Sequence, residues 1–278
     1  MDAEERVRSI ARELLSKKEV ECFIGFENGS IRGASRPCFV RDESQVDKLV
    51  WNRYCRSNLA RYLVGATGKV GILAKGCDGA TILQMILENQ VKRESVYIVA
   101  VECGGVEKPE APYSIEPKHE LAEHCKRCSA NVSPVYDILI STGEKKPQRK
   151  ETAPWGDPKD WFSEFETCVR CMACIRSCPL CYCTECALSG SKPWLVSKIS
   201  LKEELATFHL VRALHMAGRC TECGACEMAC PARIPLTRLY HLVNEKVEPE
   251  LGRLAEAGKG RERLASALVG ENVARRSG

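Results

Sequence analysis

Two stretches of the chain repeat one pattern: CVRCMACIRSCP at residues 168–179 and CTECGACEMACP at residues 220–231. Each has the spacing C-x2-C-x2-C-x3-C-P, so Cys168, Cys171, Cys174 and Cys178 are echoed by Cys220, Cys223, Cys226 and Cys230, with 41 residues between Cys178 and Cys220. Three thiolates this close suit one tight loop wrapped on a 4Fe-4S cube, and the fourth, set back and followed by proline, serves the other cube of a two-cluster protein. The spacing assigns Cys168, Cys171, Cys174 and Cys230 to cluster one. Cluster two takes Cys220, Cys223, Cys226 and Cys178. Zinc sites use paired C-x2-4-C knuckles and four ligands, and leave the remaining cysteines and prolines without a purpose.

Composition bounds the remainder. A chain of 278 residues with 44% hydrophobic content can bury a sizeable core and holds one or two domains by length. Two domains are expected. An α/β N-terminal domain spans 1–141 and a linker 142–160; a dicluster ferredoxin domain spans 161–245, and a C-terminal helix and tail run over 246–278. The N-terminus, MDAEERVRSIARELLSKK, is charged and lacks an apolar signal core, and no run of 18 apolar residues occurs. The expectation is a cytoplasmic protein without a transmembrane segment. Eighteen cysteines in a reducing compartment favour metal ligation over disulfides, and so heavy an iron–sulfur load suits an anaerobic host. With 41 basic and 37 acidic residues, no field for nucleic acid develops.

In chain order, residues 2–18 carry Val7, Ile10, Ala11, Leu14 and Leu15 at helical spacing behind Asp2, Glu4 and Glu5, a cap and acidic first turn. Residues 20–26 (VECFIGF) read as a strand, in which Cys22 is a small buried hydrophobe. Cys38 is left out of the metal count with it. Residues 45–64 show helical period through Val46, Leu49, Val50, Leu59, Tyr62 and Leu63, with Gly65 as the stop. A strand at 69–74 (KVGILA), a loop Lys75-Gly76-Cys77-Asp78-Gly79, a helix over 80–91 and a strand at 95–101 then make a parallel βαβ unit. Loops at the carboxyl ends of parallel strands hold ligands, and both Cys77 and Cys103 fall there.

Cys77, beside Lys75 and ahead of a helix N-terminus, is a candidate ligand or reactive thiol; the bland reading is a glycine-rich turn with an incidental cysteine. Cys125 and Cys128 form a C-x2-C knuckle after a helical stretch at 118–124. Alone the knuckle is half a zinc site and the seed of a zinc-dependent interaction module. With Cys77 and Cys103 it completes four thiolates, enough for a third 4Fe-4S cluster, with Cys55 as the substitute ligand. Cys181, Cys183 and Cys186 follow the first run closely; they either ligate a further metal or shield cluster one. Residues 197–217 read as a long amphipathic helix through Leu205, Phe208, Leu210, Val211, Leu214 and Met216, with His209 and His215 as surface or packed side chains. That helix between the two halves favours a mainly helical two-cluster ferredoxin domain. Beyond Pro231 and Pro235 a further helix runs through Leu239, Leu242 and Val243.

KGCDGATILQMILENQVKRESVYIVAVECGGV (75–106), CKRC (125–128) and PVYDILI (134–140) resemble the β-subunit family of deazaflavin-reducing hydrogenases and formate dehydrogenases. RCMACIRSCPLCYCTEC (170–186) and HMAGRCTECGACEMACPARIPL (215–236) resemble the two-cluster module fused to such β subunits, of the type associated with heterodisulfide reductase. The likeness covers roughly residues 50–240. It implies electron relay between a catalytic dehydrogenase or hydrogenase subunit and a flavin, deazaflavin or heterodisulfide-reductase-like flavoprotein partner.

The expected role is an iron–sulfur subunit relaying single electrons through 4Fe-4S clusters in a larger oxidoreductase complex, with the substrate chemistry in a partner. No acid, base or nucleophile constellation accompanies the eight ferredoxin cysteines, and no catalytic residue is assigned. The alternative is a diaphorase-like enzyme binding FAD or a deazaflavin, with Lys75, Gly76 and Gly79 at a helix N-terminus holding a phosphate. No G-x-G-x-x-G fingerprint accompanies it.

Overall fold

The structure, a computed structural model, describes residues 2–31, 33–108, 120–128, 130–144, 158–188 and 201–251. The chain divides into two compact units, 1–151 and 152–278, a division that falls within the stretch read as 142–160.

The first unit opens with helix α1 (Ala3–Ser16), capped by the Asp2 side chain, which accepts from Ala3 N at 2.6 Å. Glu4 and Glu5 complement its amino end, and Val7, Ile10, Ala11, Leu14 and Leu15 form its buried stripe. Strand β1 (Cys22–Asn28) pairs antiparallel with β2 (Ser35–Val40) and parallel with β3 (Val70–Ala74). Helix α2 (Gly76–Leu87) leads to β4 (Val96–Val101), which lies parallel to β3 with Val70 opposite Val96 and Ala74 opposite Ala100. Helix α3 (Glu123–Arg127) and strand β5 (Ile138–Ile140) complete the unit. The five-stranded mixed sheet has the order β2-β1-β3-β4-β5. All five residues of β3 are buried, as a central strand covered on both faces requires.

Two expected elements differ. The helix read over 45–64 is instead two 3-10 turns, Glu43–Lys48 and Leu59–Leu63. Val46, Leu49, Leu59 and Leu63 are buried as their period demands, but Val50 N donates to Phe26 O at 2.8 Å, tying the chain to the sheet between them. Asn52 and Asn58 then accept from backbone Tyr54 N and Ala60 N, a local competition that stops a helix from propagating. The loop read at 75–79 is likewise the first turn of α2, which begins at Gly76 and not near residue 80. Asp78 causes this: its carboxylate accepts from Lys75 N at 2.9 Å, as the N3 acid of a capping box does. Because β3 and β4 run parallel, the α2 amino end and Cys103, two residues past β4, share one edge of the sheet.

In the second unit the described residues form helices and connecting loops: α4 (Pro158–Phe165), α5 (Ala173–Ser177), α6 (Lys202–His215), α7 (Ala225–Met228) and α8 (Leu236–Leu251). Helix α4 starts inside the stretch read as linker. The first residues of the stretches read as helical at 118–124 and 197–217 lie outside the described residues, as does most of the 246–278 tail. Helix α6 packs on α4 and α8, and α5 on α7. Leu205, Phe208 and Ala213 of α6 are buried together with Phe165, Leu239 and Tyr240. Among the described residues no helix is long and apolar enough to cross a membrane.

Gly76 and Gly79 give the first unit a close approach that any side chain would block. A Cβ on Gly76 would collide with the Ala130 carbonyl, lying 2.6 Å from its carbon, and one on Gly79 would come within 2.8 Å of Ser133 Cα. Gly76→Ala is expected to lower stability by about 1–3 kcal/mol, because backbone cannot yield as a flexible side-chain tip can. Urea denaturation checks this; an unchanged midpoint would show that residues 130–133 move aside freely.

Candidate metal centres

The duplicated loops of the second unit follow the same backbone path. In the first, Arg170 (φ 50°) and Met172 (φ 61°) are left-handed, and in the second Glu222 (φ 53°) and Gly224 (φ 70°) stand at the same positions. A non-glycine residue in this region costs on the order of 1–3 kcal/mol, so both loops hold a path that local sequence alone disfavours. Arg170 N donates to Cys168 Sγ at 3.4 Å, and Glu222 N donates to Cys220 Sγ at 3.4 Å. Met172 and Gly224 then start the short helices α5 and α7, which carry Cys174 and Cys226 inward.

The thiols gather in two cavities. Cys168, Cys171, Cys174 and Cys230 line one, walled by Phe208, His209, Pro231 and Leu236. Cys178, Cys220, Cys223 and Cys226 line the other, walled by Arg212, Met216 and Tyr240. Each cavity thus takes three cysteines from one loop and the proline-flanked fourth from the other copy. Burial raises the pKa of the Cys168 and Cys174 thiols, drives Cys220 well above its ordinary value, and pushes Cys226 up to about 12. Sulfurs so buried are held as thiolates by the positive charge of bound iron, which reverses the local preference. Among the described residues, no three His, Cys, Asp or Glu side chains converge as they do around a single ion. Four thiols spread around one cavity fit a polynuclear cluster.

Helix α6 lies against both cavities. Arg212 is 2% exposed; Nη2 donates to Cys174 O at 2.8 Å, Nη1 donates to the Tyr240 hydroxyl, and the guanidinium lies 5.1 Å from the Tyr240 ring centroid. Burial pulls its pKa down, but the Cys226, Cys181, Cys174 and Cys178 thiols outweigh that and leave it raised. His209 is 1% exposed and stacks on Phe165 with ring centroids 4.7 Å apart. Burial, then the Arg212 charge, lowers its pKa to about 4. Arg212 escaped the sequence reading, although Leu205, Phe208 and Arg212 fall at i, i+3 and i+7 of one stripe. An arginine at a core position was the available signal. Leu210 and Leu214, read as part of the apolar face, are exposed.

Of the three cysteines after the first run, Cys181 is hydrogen-bonded to the Cys178 thiol, and that hydrogen bond, then burial, raises its pKa; Arg212 Nη2 lies 3.9 Å from its sulfur. Cys183 is exposed and Cys186 partly so.

In the first unit Cys77, Cys103, Cys125 and Cys128 are each partly accessible. Cys77 is the second residue of α2, inside its first turn. Cys103 N donates to Asn131 O at 3.0 Å, Val106 N to Cys125 Sγ at 3.3 Å, and Ala130 N to Cys128 Sγ at 3.3 Å. Cys103 and Cys125 feel each other, Cys128 and the Lys75 charge, and Lys75 in turn feels Cys77 and Cys103. The Lys75 charge thus reaches Cys77, Cys103 and Cys125, and Cys128 acts on Cys103 and Cys125. Burial pushes Cys125 up to about 12 and the fully buried Cys55 up to about 11. Cys22 and Cys38 are buried in β1 and β2.

Lys75 is 2% exposed, pairs with Asp78 at 2.8 Å, donates to Ser57 O at 2.9 Å and sits 4.7 Å above the Phe26 ring. Burial lowers its pKa, yet the charges of Asp78 and Cys77 more than offset this and it is raised. Its ammonium is directed into the protein, and Gly76 and Gly79 are covered by residues 130 and 133.

Residues 164–234 match the family described as the 4Fe-4S dicluster domain. The chain is an iron–sulfur protein. It is related along most of its length to β subunits of F420-dependent formate dehydrogenases. The subunit from Methanocaldococcus jannaschii is 22% identical, over 88% of this chain and 90% of the relative, and that of formate dehydrogenase 1 from Methanococcus maripaludis is 23% identical, over 88% and 89%. These alignments run to 344 and 348 positions, more than the chain has residues, so the relatives carry stretches without a counterpart here. A chain of the F420-reducing [NiFe] hydrogenase complex from Methanosarcina barkeri superposes on 37% of this chain and 38% of its own, with 17% identity and a TM-score of 0.32, too loose to carry an argument.

Lys75→Met is expected to cost the first unit about 3–5 kcal/mol, since it strands the Asp78 carboxylate in the interior. Thermal or urea unfolding reads this. A loss below about 1 kcal/mol would mean that water reaches Asp78.

Proposed function

We propose that the chain is the iron–sulfur electron-transfer subunit of a larger oxidoreductase complex of the formate dehydrogenase or hydrogenase kind. It holds two 4Fe-4S clusters, at Cys168, Cys171, Cys174 and Cys230 and at Cys220, Cys223, Cys226 and Cys178. The observation that carries this reading is that each quartet lines one cavity, with the fourth cysteine drawn from the other loop. The clusters supply one-electron chemistry at potentials set by hydrogen bonds to sulfur, charge and burial. This chain's contribution is to bury the thiolates, point the Arg170 and Glu222 amides at Cys168 and Cys220, and exclude water with Phe208, Leu236 and Tyr240.

The second unit adopts a mainly helical ferredoxin arrangement, supported by α6 standing between the duplicated loops. The quartet Cys77, Cys103, Cys125 and Cys128 holds a third 4Fe-4S cluster, supported by the C-x2-C knuckle and by the reach of the Lys75 charge to Cys77, Cys103 and Cys125. The buried Lys75 charge favours thiolates there. The partners are a catalytic dehydrogenase or hydrogenase subunit and a deazaflavin- or flavin-carrying protein in the cytoplasm; the relatives' names, β subunits of F420-dependent formate dehydrogenases, support the dehydrogenase part. A flavin phosphate held by Lys75, Gly76 and Gly79 has less support, because the lysine is already paired with Asp78.

Anaerobic iron and sulfide analysis tests the cluster count: about twelve iron per chain is expected, about eight would remove the third cluster, and fewer than eight would overturn the two-cluster reading. Pairing of substitutions tests the crossed ligands. Cys178→Ala with Cys223→Ala should cost one cluster, about four iron, whereas Cys178→Ala with Cys171→Ala should cost two. The reverse order would mean that each loop closes on its own cube.

A further inference from the structure

Among the described residues of the second unit, His209 differs from Arg170, Arg212 and Arg238, each of which leaves only one buried nitrogen unpartnered. Its ring is 1% exposed, and neither Nδ1 nor Nε2 has a hydrogen-bond partner in the protein. Phe165 covers one face, Phe208 meets it edge-on at 5.0 Å, and the remaining open side is the cavity it shares with Cys168, Cys171, Cys174 and Cys230. A neutral imidazole always carries one N–H donor, and buried donors are almost always satisfied. The surrounding rings offer no acceptor of comparable strength. Phe would fill the same stacked position without carrying a buried polar atom, so packing gives no reason for a histidine here.

We propose that His209 is a positioning residue for electron transfer: its N–H donates a hydrogen bond to a sulfur of the cluster held by Cys168, Cys171, Cys174 and Cys230. This rests on the reading of that quartet as a cluster site. A donor to cluster sulfur stabilises the more negative, reduced state and raises the reduction potential. The cavity of Cys178, Cys220, Cys223 and Cys226 has no histidine in its wall and is lined by Arg212 instead. One helix thus treats the two clusters differently, with a neutral donor toward one and a buried cation toward the other, three residues apart.

The experiment is an anaerobic redox titration of the full chain followed by EPR, on the wild type, His209→Phe and His209→Gln, with iron measured in each. In His209→Phe with iron retained, one midpoint should fall by about tenfold in the one-electron equilibrium, about 59 mV, while the others stay. His209→Gln, which keeps a donor, should recover most of the shift. Unmoved midpoints in His209→Phe, an equal shift of all of them, or Gln behaving as Phe overturns the proposal.

Should His209→Phe lose iron, pulsed EPR of the reduced wild type with ring-15N-histidine decides the matter. A nitrogen and an exchangeable proton coupled to one cluster, the nitrogen gone in His209→Gln, support it; no histidine coupling to any cluster overturns it. Wild type with less than two clusters' worth of iron, about eight, sinks the cluster reading and this inference with it.

Discussion

The second unit depends on one constraint: eight cysteines from two loops far apart in sequence must face each other in two crossed quartets. Each cavity is lined by three thiols of one copy and the last thiol of the other, so neither loop completes its site alone. Crossing of this kind acts like a pair of long-range links. It forces the duplicated segments together and obliges the intervening chain, with α6, to pack beside them. The left-handed residues at matching positions in both loops are backbone strain accepted for this geometry. Burial adds to this: it raises the thiol pKa at Cys168, Cys174, Cys220 and Cys226, so ligation of metal there is coupled to the folded arrangement.

The same logic recurs differently in the first unit. There the organising charge is Lys75, buried with Asp78 at the carboxyl edge of the parallel strands. Asp78 serves the lysine, the Lys75 amide and the Leu59 amide at once, which joins the α2 amino end to the turn at Leu59–Leu63. Gly76 and Gly79, in the first turn of α2, let residues 130–133 approach closely. A charge in the interior, a capping box and two missing side chains together fix the edge of the sheet at which Cys77 stands.

Helix α6 shows where periodicity informs and where it misleads. Its place between the halves was legible in the sequence, although it runs over Lys202–His215 and not over the longer 197–217. Its buried face was not, because leucine at 210 and 214 suggests a core that lies instead along Leu205, Phe208 and Arg212. The arginine and histidine on that stripe are costly to bury in a helix that packs only on hydrocarbon, and they become reasonable where thiolates line the cavities. At residues 45–64 the error had a different source: the apolar spacing was right, but Asn52 and Asn58 divert the backbone and the sheet captures Val50.

From the sequence alone came the cysteine spacing, the duplication, the βαβ unit and the separation into an α/β part and a ferredoxin part. These are local, and ligand chemistry or alternation writes them directly into residue order. Only the tertiary structure decided that the loop at Lys75 is a helix start with an inward-facing ammonium, that Cys55 is sealed off, and that His209 and Arg212 face different cavities. Those outcomes depend on which distant groups meet in the interior, where desolvation makes an unpaired charge or donor expensive, and residue order alone does not name the partner.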